Sequence, residues 1–171
     1  MNEKIIKSSQ EIEAALIKLS VVLNKDFHKI PIDLVSINHA AKYLVEDLTK
    51  LLDMDVRSQS LNFENYESPS KSGEVCLIQD LEYPIFGRHV ILADGIIISG
   101  TTHSYLINSL KQRLPRSISI VSVGIKPNSL RFELPNCYSL FKFNKEFVGG
   151  YGMGGDEYSL KKYLVDLKKS L

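Results

Sequence analysis

Apolar residues change their period several times along this chain. Ile12, Ala15, Leu16, Leu19, Val22 and Leu23 recur at the three- and four-residue steps of one helix face. Ser8 and Glu11 stand three apart just ahead of that run, the spacing of a capping box, so a helix is predicted to start behind Ser8. Residues 25–31 interrupt it, and IDLVSI (residues 32–37) reads as a short buried strand. Helical spacing returns from about His39 to Leu52, with Ala40, Tyr43, Leu44, Leu48, Leu51 and Leu52 inward. The polar stretch NFENYESPSKSGE shows neither period and carries Pro69 and Gly73, which predicts a long loop. Then come VCLIQDL, a turn at Phe86, Gly87 and Arg88, the strand HVILA, and a helix from about Thr102 to Arg113. The β-branched run SISIVSVGI follows, then CYSLFKF, the glycine-rich FVGGYGMGG, and a C-terminal stretch read as helical on Tyr158, Leu160, Tyr163, Leu164 and Leu167. Strand and helix alternate through the centre, which predicts an α/β fold with a mainly parallel sheet flanked by helices. Ligands of such sheets bind outside the carboxyl ends of the strands.

Composition narrows the function classes. The 171 residues fit one domain, 1–171, and the balance of 44% hydrophobic to 24% charged residues is that of a soluble globular protein. A net charge of +1 gives no general attraction to nucleic acid or to an anionic membrane. No apolar run approaches a membrane span, and MNEKIIKSSQ lacks an apolar targeting core, so the default expectation is a cytoplasmic protein. Cys76 and Cys137 match no zinc or redox spacing and read as buried free thiols.

The candidate chemistry sits in VILADGIIISGTTHSYL. An apolar strand ends at Asp94, and Ser99, Gly100, Thr101 and Thr102 lead into a helix. Gly100 lets backbone approach an anion, and N–H groups at the helix start point towards it. The residues alone leave a second reading open, a plain strand-to-helix turn capped by Thr101 or Thr102. A Walker loop is excluded, because no Gly-Lys-Ser/Thr ending follows.

This order of strand, acid, isoleucines, Gly and Thr resembles the phosphoribosyl-pyrophosphate (PRPP) loop of type I phosphoribosyltransferases. GEVCLIQDLEYPIFGRHVILADGIIISGTT, FNKEFVGGYGMGGDEY and PIDLVSINHAAKYLVEDL extend the resemblance to the hypoxanthine-guanine branch over almost the whole chain, in consistent order. The resemblance implies a mainly parallel sheet with a small hood formed partly by the C-terminal segment, about residues 127–171, and a mobile loop at about residues 60–73. It implies a purine phosphoribosyltransferase, a transferase of purine salvage working with magnesium on PRPP and hypoxanthine or guanine, in a homodimer or homotetramer.

Carried over residue by residue, the resemblance divides the site. Asp94 matches the first of two adjacent acids that bind the ribose hydroxyls, directly or through magnesium, and Gly95 stands where the second would be. Ser99, Gly100, Thr101 and Thr102 match the 5′-phosphate loop. Ile98 occupies the place of the aspartate that exchanges a proton with the purine, so no catalytic residue is assigned. Lys126 matches the lysine that meets the purine 6-oxo group, with Tyr138 as the stacking aromatic and the backbone of Ser139 on the base edge. Asn38 replaces a pyrophosphate lysine and Gly154 a magnesium-linked aspartate, with Asp156 two residues away. The arginine expected near Leu160, Lys161 and Lys162 is missing, and no clear Ser-Tyr pair marks the mobile loop, where Tyr66 or Ser68 could substitute. His39 and His103 read as solvated residues at helix starts, with a phosphate contact open for His39. The losses fall on magnesium-pyrophosphate and on proton transfer. The chain is therefore expected to bind PRPP or a purine nucleoside monophosphate with weak or altered catalysis, or to be a non-catalytic nucleotide sensor or regulatory subunit.

Overall fold

In the computed structural model, which describes residues 4–66 and 74–167, a short strand β1 (Lys4–Lys7) precedes helix α1 (Ser9–Phe27). Then follow β2 (Ile32–Ile37), a 3-10 turn (His39–Ala41), α2 (Lys42–Thr49), β3 (Val56–Tyr66) and β4 (Glu74–Gln79). The second half runs β5 (His89–Ile97), α3 (Thr101–Lys111), β6 (Ser117–Ile125) and β7 (Cys137–Lys142), ending with β8 (Val148–Gly149), α4 (Asp156–Ser159) and β9 (Leu164–Asp166). Six strands form the central sheet in the order β4-β3-β2-β5-β6-β7, parallel throughout except for the β3–β4 hairpin. Among the described residues no helix is long and apolar enough to cross a membrane.

The capping box forms as the spacing predicts: Glu11 N–H donates to Ser8 Oγ at 3.2 Å, and Ser8 N–H to Glu11 Oε2 at 2.9 Å. α1 and α2 bury Ile12, Leu16, Leu19, Leu23, Leu44 and Leu48 against one face of the sheet. α3 buries Leu106, Ile107 and Leu110 against the other. Strands β2, β5 and β6 are thus covered on both faces, which is why they read as near-continuous apolar runs.

Three expectations change. Residues 62–66 and Glu74 belong to strands and not to a loop; residues 67–73, including Ser68 of the expected mobile loop, lie outside the described residues. β3 escapes the hydrophobic pattern because Gln59, Leu61 and Phe63 are buried with polar residues between them. The C-terminal stretch is not one helix. α4 has a single turn, and Leu164 and Val165 enter a strand that pairs antiparallel with β1 on one side and β8 on the other. The small sheet is therefore assembled from both ends of the chain, a pairing that no local period encodes. Cys137 is a free thiol, half-buried.

At the amino-terminal edge of the sheet, Asp33 is fully buried and receives two arginines. Arg57 donates from Nε to Oδ1 at 2.6 Å and from Nη2 to Oδ2 at 2.7 Å, while Arg88 Nε reaches Oδ2 at 3.0 Å. This group ties β2, β3 and the entry to β5 into one register at the end opposite the candidate loop. Replacing Asp33 by alanine is expected to lower the unfolding free energy by about 3 kcal/mol, because two guanidinium groups lose their buried partner. Urea denaturation of wild type and variant checks this.

Candidate nucleotide site

The carboxyl ends of β2, β5 and β6 deliver residues 38–41, residues 98–102 and Lys126 to one edge of the sheet. Lys126 is fixed there by its backbone, whose N–H donates to Ile97 O at 2.9 Å. The loop after β5 has the form of an anion cradle. Gly100 takes the left-handed conformation (φ 75°, ψ −1°) and is the N-cap of α3, with no side-chain cap bond. Beyond Thr101, whose N–H is taken by Ser99 Oγ, the first-turn N–H groups of α3 are thus left to an incoming acceptor. Ser99 Oγ lies 3.0 Å from Thr101 Oγ1 and accepts from Thr101 N–H at 3.3 Å, so the hydroxyls face one another around the turn. Arg131 N–H donates to Ser99 O at 2.9 Å and anchors the loop from outside.

Asp94 is held on both oxygens. Gly95 N–H donates to Oδ1 at 2.6 Å, and His103 Nε2 stands 2.9 Å from Oδ2. The approach is oblique to the ring N–H, so this contact is more electrostatic than a linear hydrogen bond. His103 is only 4% exposed, which corrects the expectation of a solvated residue. Its position carried a signal: residues 103, 106, 107 and 110 share one face of α3, and the other three are apolar.

Above Gly95 lies Met153 from the glycine-rich segment. A Cβ on Gly95 would come within 2.7 Å of Met153 Cγ, 2.8 Å of its Sδ and 3.1 Å of Ala40 Cβ. A carboxylate at position 95 therefore has no room unless the thioether moves. Met153 is buried, and neither its identity nor its placement is readable from the chain's pattern. Asn38, where the resemblance expects a lysine, turns its side chain back into the fold. Its N–H donates to Leu61 O at 3.0 Å and its Oδ1 accepts from Phe63 N–H at 2.9 Å, stitching the end of β2 to β3. Gly154 has φ +88° and brings no carboxylate, and Asp156 is exposed at the start of α4. Among the described residues no three His, Cys, Asp or Glu side chains converge to hold a metal. Mg²⁺ usually takes one or two carboxylates together with ligand phosphates and waters, and of the acid positions matched by the resemblance only Asp94 carries a carboxylate here.

The residues that the resemblance gives to the purine are not brought together. Lys126 Nζ lies 5.8 Å from the centroid of Phe147, which is 64% exposed. Phe147 is pinned by its backbone: its N–H donates to Asp166 Oδ1 at 2.9 Å and its carbonyl accepts from Leu167 N–H at 2.6 Å. The structure does not bring Tyr138 and Ser139 to this point. Tyr138 pairs in register with Val121, five residues before Lys126 along β6, a separation of about 16 Å at roughly 3.3 Å per residue. Its hydroxyl donates to Asp26 Oδ2 at 2.8 Å, and burial, with that carboxylate adding, pushes its pKa up to about 12. It lines a groove of about 620 Å³ between α1 and β7 that shares no wall with the Ser99–Thr102 loop. Ser139 Oγ lies 2.6 Å from Ser122 Oγ inside the sheet. The sequence pattern does not single out Phe147; its one local signal is its place in FNKEFVGG, two residues ahead of the glycine pair. Ile98, by contrast, is 48% exposed on the loop approach beside Ile97 and Lys126.

No family model matches the chain. It is similar to the hypoxanthine-guanine phosphoribosyltransferase of Bacillus subtilis strain 168, at 28% identity over 171 residues, covering 99% of this chain and 95% of that one. The corresponding protein of Mycobacterium tuberculosis strain H37Rv is 26% identical over 162 residues, 91% of this chain and 80% of that one. A solved hypoxanthine phosphoribosyltransferase from Staphylococcus aureus matches with a TM-score of 0.89 and 28% identity, covering 96% of this chain and 91% of that one.

The cradle's shape depends on the left-handed turn at its centre. Gly100→Ala leaves ordinary space around the new methyl, since the nearest atoms lie 3.5 Å away on Leu130 and Leu134, but forces an L-residue to φ +75°. The expected cost is about 1–2 kcal/mol of stability, measurable as a lowered thermal midpoint.

Proposed function

Because this chain belongs with the type I phosphoribosyltransferases of the hypoxanthine-guanine kind, we propose that it binds a purine nucleoside 5′-monophosphate in that family's cradle and transfers phosphoribose weakly or not at all. The carrying observation is the exposed side chain of Ile98 on the base side of an otherwise formed phosphate loop. Isoleucine cannot exchange a proton with a purine, and a lost acid–base group alone costs about 10²–10⁴ in rate. The 5′-phosphate is assigned to Ser99, Gly100, Thr101 and Thr102, and the ribose to Asp94.

The base is assigned to Lys126 and Phe147, with the lysine directed to a carbonyl oxygen and the ring to the face of the base. Their 5.8 Å separation supports this pairing, while the bond of Tyr138 to Asp26 leaves its ring elsewhere. PRPP is the weaker fit. Its pyrophosphate would meet Asn38, Gly95 and Gly154, none of which carries charge. The folded-back Asn38 side chain and the filled space over Gly95 favour the non-catalytic form of this reading, a nucleotide-responsive binding protein.

Purified protein supplied with PRPP, magnesium and hypoxanthine or guanine is expected to release pyrophosphate at a rate at least about 10²-fold below that of an ordinary family member. Ordinary turnover would overturn the proposal, as would the lack of any thermal shift with GMP and IMP. Phe147→Ala is expected to weaken GMP binding by about tenfold, the loss of one stacking platform, while Tyr138→Phe leaves it unchanged. Isothermal titration of the two variants separates these outcomes.

A further inference from the structure

Resting on that reading, we propose that the site holds its nucleoside monophosphate without a divalent cation, the thioether of Met153 standing over the ribose end and His103 serving as the positioning partner of Asp94. Two facts on opposite faces of β5 carry this. On one face, Met153 Cγ and Sδ occupy the space that a side chain at position 95 would enter. A thioether is a soft, apolar group that offers nothing to Mg²⁺, and Met153 is buried where it meets Gly95. On the other face, Asp94 is committed internally, with His103 Nε2 at 2.9 Å from one oxygen and Gly95 N–H at 2.6 Å from the other. Both oxygens of this single carboxylate thus already face groups of the chain itself.

The consequence is a choice of ligand. A nucleoside monophosphate carries its charge only at the 5′-phosphate, which the N-terminus of α3 and the loop amides can meet. A ligand with a pyrophosphate on C1 would place several negative charges beside Met153, Gly95 and Asn38 with no cation to offset them. The substrate class that fits is therefore the metal-free monophosphate and not a magnesium-pyrophosphate sugar.

Titration calorimetry of the intact protein with GMP in magnesium buffer and in EDTA tests this. The expected dissociation constants agree within about twofold; a metal-linked site would show a coupling of about tenfold or more. Tighter binding only with magnesium overturns this inference and leaves the cradle reading standing, whereas no binding in either buffer overturns both. Two variants add readouts that a packing role would not move. His103→Leu, on a face shared with Leu106, Ile107 and Leu110, frees the Asp94 carboxylate, so GMP affinity should fall in EDTA and recover partly with magnesium. Equal loss in both buffers would reduce His103 to packing and overturn its assigned role. Gly95→Asp combined with Met153→Ala should create a manganese signal in a paramagnetic titration that wild type lacks; a wild-type manganese site at the same strength overturns the proposal.

Discussion

Met153 lies directly on the bare Cα of Gly95, and the arrangement of the site depends on that contact. It brings the glycine-rich segment down onto the ends of β2 and β5, with Ala40 also close to Gly95. The segment is held in place from outside, because the Tyr151 hydroxyl donates to Asp47 Oδ2 of α2 at 2.7 Å. β8 and β9 continue it into the small sheet, whose third strand comes from the N-terminus. The hood is thus clamped at one side by a hydrogen bond to α2 and at the other by strand pairing with β1. Met153, between the two clamps, is pressed into the space that a side chain at position 95 would need. Glycine at 95 and methionine at 153 are one solution to a packing problem, not two separate losses.

The electrostatic character of the site follows from it. At the carboxyl ends of β2 and β5, acids and a lysine of the family pattern give way to Gly95, Ile98 and Asn38. What charge remains is arranged differently. Asp94 turns to the α3 side and faces His103, while Lys126 stands beside the Phe147 ring. Between them the helix start offers oriented N–H groups, which suit a phosphate without carrying formal charge. Under the proposed function such a site would recognise one anion at one place, and elsewhere rely on shape and apolar contact.

Much of this architecture was legible in the chain, for reasons that can be named. The capping box and the three- and four-residue apolar steps fix α1, because local spacing alone determines which face is buried. β2, β5 and β6 announce themselves as apolar runs because both sheet faces are covered. The Ser99–Thr102 cradle is readable since its chemistry is contiguous. What was not legible is non-local. β1 and β9 pair across nearly the full length of the chain, and β3 hides its buried positions between polar ones. Tyr138 was the aromatic singled out in sequence; the strand register places it about five residues short of Lys126, and only the folded path of the chain brings Phe147 beside that lysine. His103 was half-legible: its helical phase marks it as buried, but its partner on the neighbouring strand requires the fold.

Ile98 joins these observations. It is 48% exposed at the ligand-facing end of β5, and covering an aliphatic group there is favourable by about 25 cal/mol per Å² of apolar surface removed from water. The gain is realised as soon as a base lies against it, before any bond changes. An aspartate at the same place would act chiefly as the proton moves, which lowers the barrier and not the energy of the bound state. In the proposed reading, exchanging one for the other shifts the site from complementarity to a transition state towards complementarity to a bound nucleotide. On the same reading, Met153 over Gly95 leaves apolar packing where a carboxylate would otherwise serve the ribose hydroxyls or a metal ion. In the proposed reading both residues favour retention over turnover, and the Ser99–Thr102 loop is the part of the fold that retention would require.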